Sequence, residues 1–190
     1  MHMTNKYVLL MRGINVNGVS IKMKDLKEAL VGLGYPDVQT ILATGNIILT
    51  LDASEAFGEL EIAEIAQALG KEFQYDCHLF LRTGDEIGDI VAAASASASA
   101  VEAPDEFHHY CLFCDQAEVV SELSELFASV PKAPGERFIP VGRDAFWIVP
   151  KGSTTGTDFG SKVLGKKAYK SRLTSRNINT VNKIYAICAK

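Results

Sequence analysis

Two short polar runs, rich in Arg, Asn and Thr, lie near opposite ends of this chain. One is Arg12-Gly13-Ile14-Asn15-Val16-Asn17-Gly18, the other Thr174-Ser175-Arg176-Asn177-Ile178-Asn179-Thr180. Each joins a fixed cation to several neutral hydrogen-bonding side chains, and neither contains Asp, Glu, His or Cys. Arginine offers a planar fork suited to carboxylate or phosphate. A pocket made of such groups holds an anion but brings no general acid, general base or metal ligand. The first run has two glycines, which can turn backbone N–H groups toward an anion. Ordinary turn chemistry needs the same residues, because Gly and Asn tolerate positive φ. In the second run Thr, Ser and Asn are also good helix N-caps. Thr44-Gly45-Asn46 is a third polar turn of similar composition.

Other chemistry-bearing spacings fall short of known sites. Gly160-Ser161-Lys162-Val163-Leu164-Gly165-Lys166-Lys167 approaches a phosphate-binding P-loop, but Lys167 stands where Ser or Thr must bind magnesium. No apolar strand precedes it. Cys111-x-x-Cys114 has half of a zinc motif and lacks a second ligand pair. It also sits in a strand-like run rather than at a helix N-terminus, which disfavours a redox role. His108 and His109 are adjacent in a strand and point to opposite faces, so they do not share a metal. No metal and no cofactor is expected. Phe113, Phe146 and Trp147 read as core residues rather than as base-stacking aromatics.

The elements that position these residues follow from periodicity. A strand over 7–12 precedes a helix marked by Met23, Leu26, Leu30 and Leu33, which share one helical face. Gly34 and Pro36 stop that helix. Strands over 38–43 and 47–51 flank the Thr44-Gly45-Asn46 turn. Ser54 is the expected cap of a second helix, with Ile62, Ile65, Ala66, Leu69 and Phe73 on its apolar face. A fourth strand covers 77–82. The order then repeats: strands over 110–114, 138–141 and 146–149, a helix marked by Val119, Leu123 and Phe127, a helix over 162–169, and a short segment near Leu173. A further helix covers about 179–189. Two successive βαββαβ patterns predict an α/β (α+β) fold of tandem ferredoxin-like units with an extra C-terminal helix. The expected boundaries are 1–83 and 106–190. Residues 84–105 join them as a connecting helix followed by an Ala/Ser run that suits either a linker or a frayed helix.

Composition narrows the setting. The chain has 190 residues, 47% of them hydrophobic, enough to build a core. No apolar run has the length of a membrane span, and the N-terminus lacks a signal-peptide pattern. Four cysteines are too few to staple a fold of this size. A cytoplasmic protein without a membrane partner is expected; no oligomeric state is legible. Net charge is −4 but uneven. Residues 52–136 carry 3 Lys/Arg against 18 Asp/Glu; residues 151–190 carry 9 against 1. The basic end suits an anionic partner, or it complements the acidic part within the molecule.

Taken together, Leu10-Met11-Arg12-Gly13-Ile14-Asn15-Val16, Thr44-Gly45-Asn46 and Arg176-Asn177-Ile178-Asn179-Thr180-Val181 resemble a widespread bacterial family known as a conserved domain of unknown function. Its members read L-R-G-I-N-V-G-G, S-G-N and R-N-W-N-T-V in that order. The resemblance implies a tandem ferredoxin-like fold and no particular activity. This chain departs at Asn17 (for Gly), Thr44 (for Ser) and Ile178 (for an aromatic).

The functional expectation is binding of a small anionic or phosphorylated ligand. Its candidate residues are Arg12, Asn15, Thr44, Asn46, Arg176, Asn177, Asn179, Thr180 and Lys162. Three alternatives stand beside it: an enzyme on an anionic substrate using Lys162 or Lys166, nucleic-acid binding through the basic C-terminal part, or a structural clamp between the two units. The chain does not decide between an enzyme and a binding protein.

Overall fold

A computed structural model describes residues 3–15, 18–98 and 104–190. Two compact units result: Met1–Gly84 together with Lys183–Lys190, and Asp85–Asn182. In the first, β1 (Thr4–Met11), α1 (Met23–Gly32), β2 (Val38–Ile41), β3 (Asn46–Asp52), α2 (Glu59–Glu72) and β4 (Leu79–Thr83) follow one another. Helix α3 (Gly84–Ala98) comes next. The second unit repeats the order with β5 (Phe107–Cys114), α4 (Ala117–Ser129), β6 (Arg137–Val141), β7 (Asp144–Pro150), α5 (Asp158–Val163) and β8 (Leu173–Asn177). Helix α6 (Ile178–Cys188) ends the series. The sheets are ordered β2-β3-β1-β4 and β6-β7-β5-β8, antiparallel throughout. Both are ferredoxin-like, each made of two interleaved split βαβ units.

Alternation along the strands explains the cores. Leu9 and Met11 of β1 and Ile47, Leu49 and Leu51 of β3 share one face and are buried with Leu26 and Leu30 of α1 and Ile65 and Leu69 of α2. Such side chains each stabilise by about 1.5–3 kcal/mol when fully buried. In the second unit Leu112, Cys114, Trp147 and Val149 pack with Val119 and Leu123 of α4 and Phe159 of α5. The Trp147 indole N–H donates to Glu136 Oε1 at 3.1 Å, so the largest core side chain keeps its polar atom satisfied. Cys111 and Cys114 are buried within β5 and form no disulfide, and burial pushes the Cys111 thiol up, away from the thiolate that redox chemistry needs.

Local chemistry moves several expected boundaries. Ser54 does not cap α2. Its hydroxyl donates to Asp52 Oδ1 at 2.6 Å, and the helix starts after Gly58, whose N–H donates to Glu61 Oε2 at 2.8 Å. The helix expected over 162–169 is instead α5, capped by Thr157 Oγ1, which accepts from Gly160 N–H at 3.0 Å. It stops at Val163 because Leu164 is extended and Gly165 takes φ +70°; a single 3-10 turn, Lys167–Tyr169, follows. The run 174–180 was expected to precede a helix as a loop, yet Thr174 to Asn177 belong to β8. Helix α3 continues through the Ala/Ser run to Ala98; residues 99–103 lie outside the described set. No helix among the described residues is long and apolar enough to cross a membrane.

Candidate functional site

In the first unit the two polar motifs meet. Strand β1 ends at Met11, and the next residues reverse direction through positive φ at Gly13 (+75°) and Asn15 (+55°). Asn15 holds this loop on both sides. Its Nδ2 donates to the carbonyls of Ile21 (3.2 Å) and Ala43, while its Oδ1 accepts from the Ile21 N–H at 2.9 Å. Ala43 belongs to the turn between β2 and β3, so one amide joins the Arg-Gly-Ile-Asn loop to the Thr-Gly-Asn turn.

The turn itself is closed by Asn46, a fully buried side chain at the start of β3. Its Nδ2 donates to the Ile41 carbonyl (2.8 Å) and to Thr44 Oγ1 (2.9 Å). Gly45 has φ +71°, and a Cβ there would lie 2.6 Å from Met11 Cβ and 2.7 Å from Ile14 Cδ1. Only glycine fits both the conformation and the close approach. The Gly45 carbonyl also accepts from the Met11 N–H at 2.8 Å. These contacts give the motifs a mechanical role: they fasten two loops at one end of the sheet.

Arg12 directly follows β1 at this fastened end. It is half-buried, and burial draws its guanidinium down from the ordinary arginine value. Thr44 is exposed. Its hydroxyl oxygen accepts from the Asn46 amide. Val16 and Asn17 lie outside the described residues.

The second unit holds the other candidates in a different state. Arg176 is buried at 8% exposure within β8. Its Nη1 donates to Thr174 Oγ1 and to the Ser175 carbonyl, both at 2.9 Å, and burial lowers its pKa to about 10. Asn177 Oδ1 accepts from the Asn179 N–H at 2.9 Å, an Asx turn that opens α6. Asn179 is exposed and Thr180 half-buried on the first turn of that helix. Lys162 and Lys166 are exposed. The basic end is partly matched inside its own unit, where Arg172 makes a bidentate pair with Glu122 at 2.9 and 3.0 Å. Among the described residues no three His, Cys, Asp or Glu side chains group as a metal site.

With these contacts in place, comparison with known proteins becomes informative. Residues 3–146 match the family model described as "Protein of unknown function (DUF1697)". The chain belongs to that family. The matched segment includes the Arg-Gly-Ile-Asn loop and the Thr-Gly-Asn turn, whereas the run 174–180 falls beyond it. Among solved structures, the chain resembles the conserved bacterial protein SP0830 from Streptococcus pneumoniae at 21% identity and a TM-score of 0.76. That likeness covers 98% of this chain and 99% of the other, and it establishes the fold. Among curated proteins, none matches this chain in sequence.

The family fold carries a repeat that residue identities hide. Val8 pairs with Arg82 and Ile48, as Cys111 pairs with Arg176 and Phe146. Arg82 and Arg176 thus hold equivalent positions on β4 and β8. Both are buried, and each donates through Nη1 to the carbonyl of the residue before it, Leu81 and Ser175. Arg12 N–H donates to the His78 carbonyl just as Asp115 N–H donates to the Arg172 carbonyl. Asn46 and Asp144, the first residues of β3 and β7, are likewise equivalent and buried. Arg82 is the residue that motif reading missed. Aligning the units by element order, with Phe80-Leu81-Arg82 over Thr174-Ser175-Arg176, would have found it.

Proposed function

We propose that this protein is a cytoplasmic binding protein for a small anionic or phosphorylated ligand, held at Arg12 of the first unit. The carrying observation is the half-buried Arg12 on a loop that Asn15 ties to the Thr-Gly-Asn turn and that the Gly45 carbonyl holds at Met11. A preorganised cation loses little freedom on binding, which favours affinity. Thr44, in the turn that Asn15 ties to this loop, is exposed. Asn15 and Asn46 are framework in this reading, because their amides already bond the backbone. Arg176 and Asn177 are framework of the second unit for the same reason. Four cysteines without a disulfide suit the reducing cytoplasm.

A second reading has its own support. The bonds of Asn15 and Asn46 would serve a purely structural clamp equally well. Thermal unfolding with and without inorganic phosphate separates the two. Binding predicts a phosphate-dependent rise in Tm that Arg12→Gln removes while leaving the unliganded Tm nearly unchanged. At a concentration of 100 Kd the stabilisation would be about 2.7 kcal/mol. A clamp predicts no phosphate response in the wild type and a lower unliganded Tm for Arg12→Gln.

A further inference from the structure

The first unit has a concave feature formed by residues other than those of the Arg12 loops. Helices α1 and α2 enclose a groove of about 570 Å³ on their outer side. Small side chains keep it open: Ala29 and Gly32 from α1, Ala68 from α2. Apolar side chains line it, with Leu69 fully buried, Phe73 half-buried and Leu33 at 43% exposure. Its charged lining is of one sign: Asp25, Glu28 and Glu72, all exposed. The α2 side of the groove is that helix's last turn, where the backbone carbonyls add negative potential. Glu28 pairs with Lys24 at 3.7 Å, but both are solvated and the pair is weak. Among the described residues no cationic side chain lines the groove.

A groove between two helices that offers small and apolar side chains together with carboxylates is complementary to one kind of occupant. We propose that it docks a cationic amphipathic helix from a partner protein. Apolar side chains of the partner would enter the space over Ala29, Gly32 and Ala68, and flanking Lys or Arg would meet Asp25, Glu28 and Glu72. This is the helix-in-groove mode of recognition. Charge of opposite sign steers such a partner and excludes acidic ones.

Fluorescence anisotropy of a labelled amphipathic leucine–lysine peptide, titrated with the full chain, tests the proposal. Saturable binding is expected. The double variant Glu28→Lys/Glu72→Lys should weaken it by about tenfold or more. Ala68→Leu fills the groove without altering charge or helix propensity, and should weaken binding as well. Glu118→Lys/Glu125→Lys on α4 makes the same charge change elsewhere and should leave affinity unchanged. The proposal is overturned if the peptide does not bind, if the α4 variant weakens binding as much as the groove variant, or if a folded Ala68→Leu protein binds normally. Sedimentation showing a dimer that the groove variants dissolve would also overturn it, making the occupant a second copy of this chain.

Discussion

Removing the buried amide of Asn46 tests the role assigned to the Thr-Gly-Asn turn. Asn46→Ala deletes two donors, one to the Ile41 carbonyl at 2.8 Å and one to Thr44 Oγ1 at 2.9 Å. Thr44 is exposed, so its oxygen turns to water and the loss there is about 0.5–1 kcal/mol. The bond to Ile41 is buried, and a buried acceptor left without its donor costs about 1–3 kcal/mol. Truncating a fully buried side chain adds lost packing of about 1 kcal/mol. The expected destabilisation is about 2.5–5 kcal/mol, a large share of the ~5–15 kcal/mol that holds a domain folded. Urea unfolding followed by far-UV circular dichroism gives the change in midpoint. The single tryptophan, Trp147, reports separately on the second unit by fluorescence. A loss below about 0.5 kcal/mol with an unchanged m-value would refute the assignment of Asn46 as the fastening of that turn.

Other outcomes follow from the same contacts. Gly45→Ala should cost about 2–4 kcal/mol, from left-handed strain at φ +71° and a Cβ set 2.6 Å from Met11 Cβ, read as a lowered urea midpoint; a loss under about 1 kcal/mol would count against it. His109 gives a pH dependence. Its Nε2 is buried with no hydrogen-bond partner among the described residues, and burial first, then the charges of His108 and Lys151, lowers its folded pKa. The unfolded chain therefore binds the proton more readily, and stability should fall as pH drops through about 6.5 toward the folded value. His109→Phe should flatten that part of the midpoint-against-pH curve; an unchanged slope would assign it to other groups.

The fold was legible because its elements are strongly periodic. Leu26 and Leu30 mark one helical face of α1, and the short apolar runs Val8 to Met11 and Ile47 to Leu49 mark buried strands, before any contact is known. Boundaries were less legible where side chains compete for the same backbone groups. Ser54 looks like a cap, but Asp52 lies two residues away and takes its hydroxyl, leaving Glu61 to fasten the helix start. Lys162 to Tyr169 has helical composition, yet Gly165 interrupts it. At the candidate site, the sequence locates Asn15 and Asn46 but not what they bond. An amide aimed at a ligand and one aimed at a carbonyl have the same letter; only the short contacts to Ala43 and Ile41 tell them apart. Arg82 was hidden because an arginine between apolar strand residues reads as an ordinary outward-facing position, whereas it is 1% exposed.

The most direct measurement of the central claim is a phosphate titration followed by amide chemical shifts of the uniformly labelled protein. The account predicts saturable changes concentrated at Arg12, Gly13, Thr44 and Gly45, and their loss in Arg12→Gln. Changes spread over the exposed lysines between 162 and 170 instead, or no saturable change at all, would contradict it.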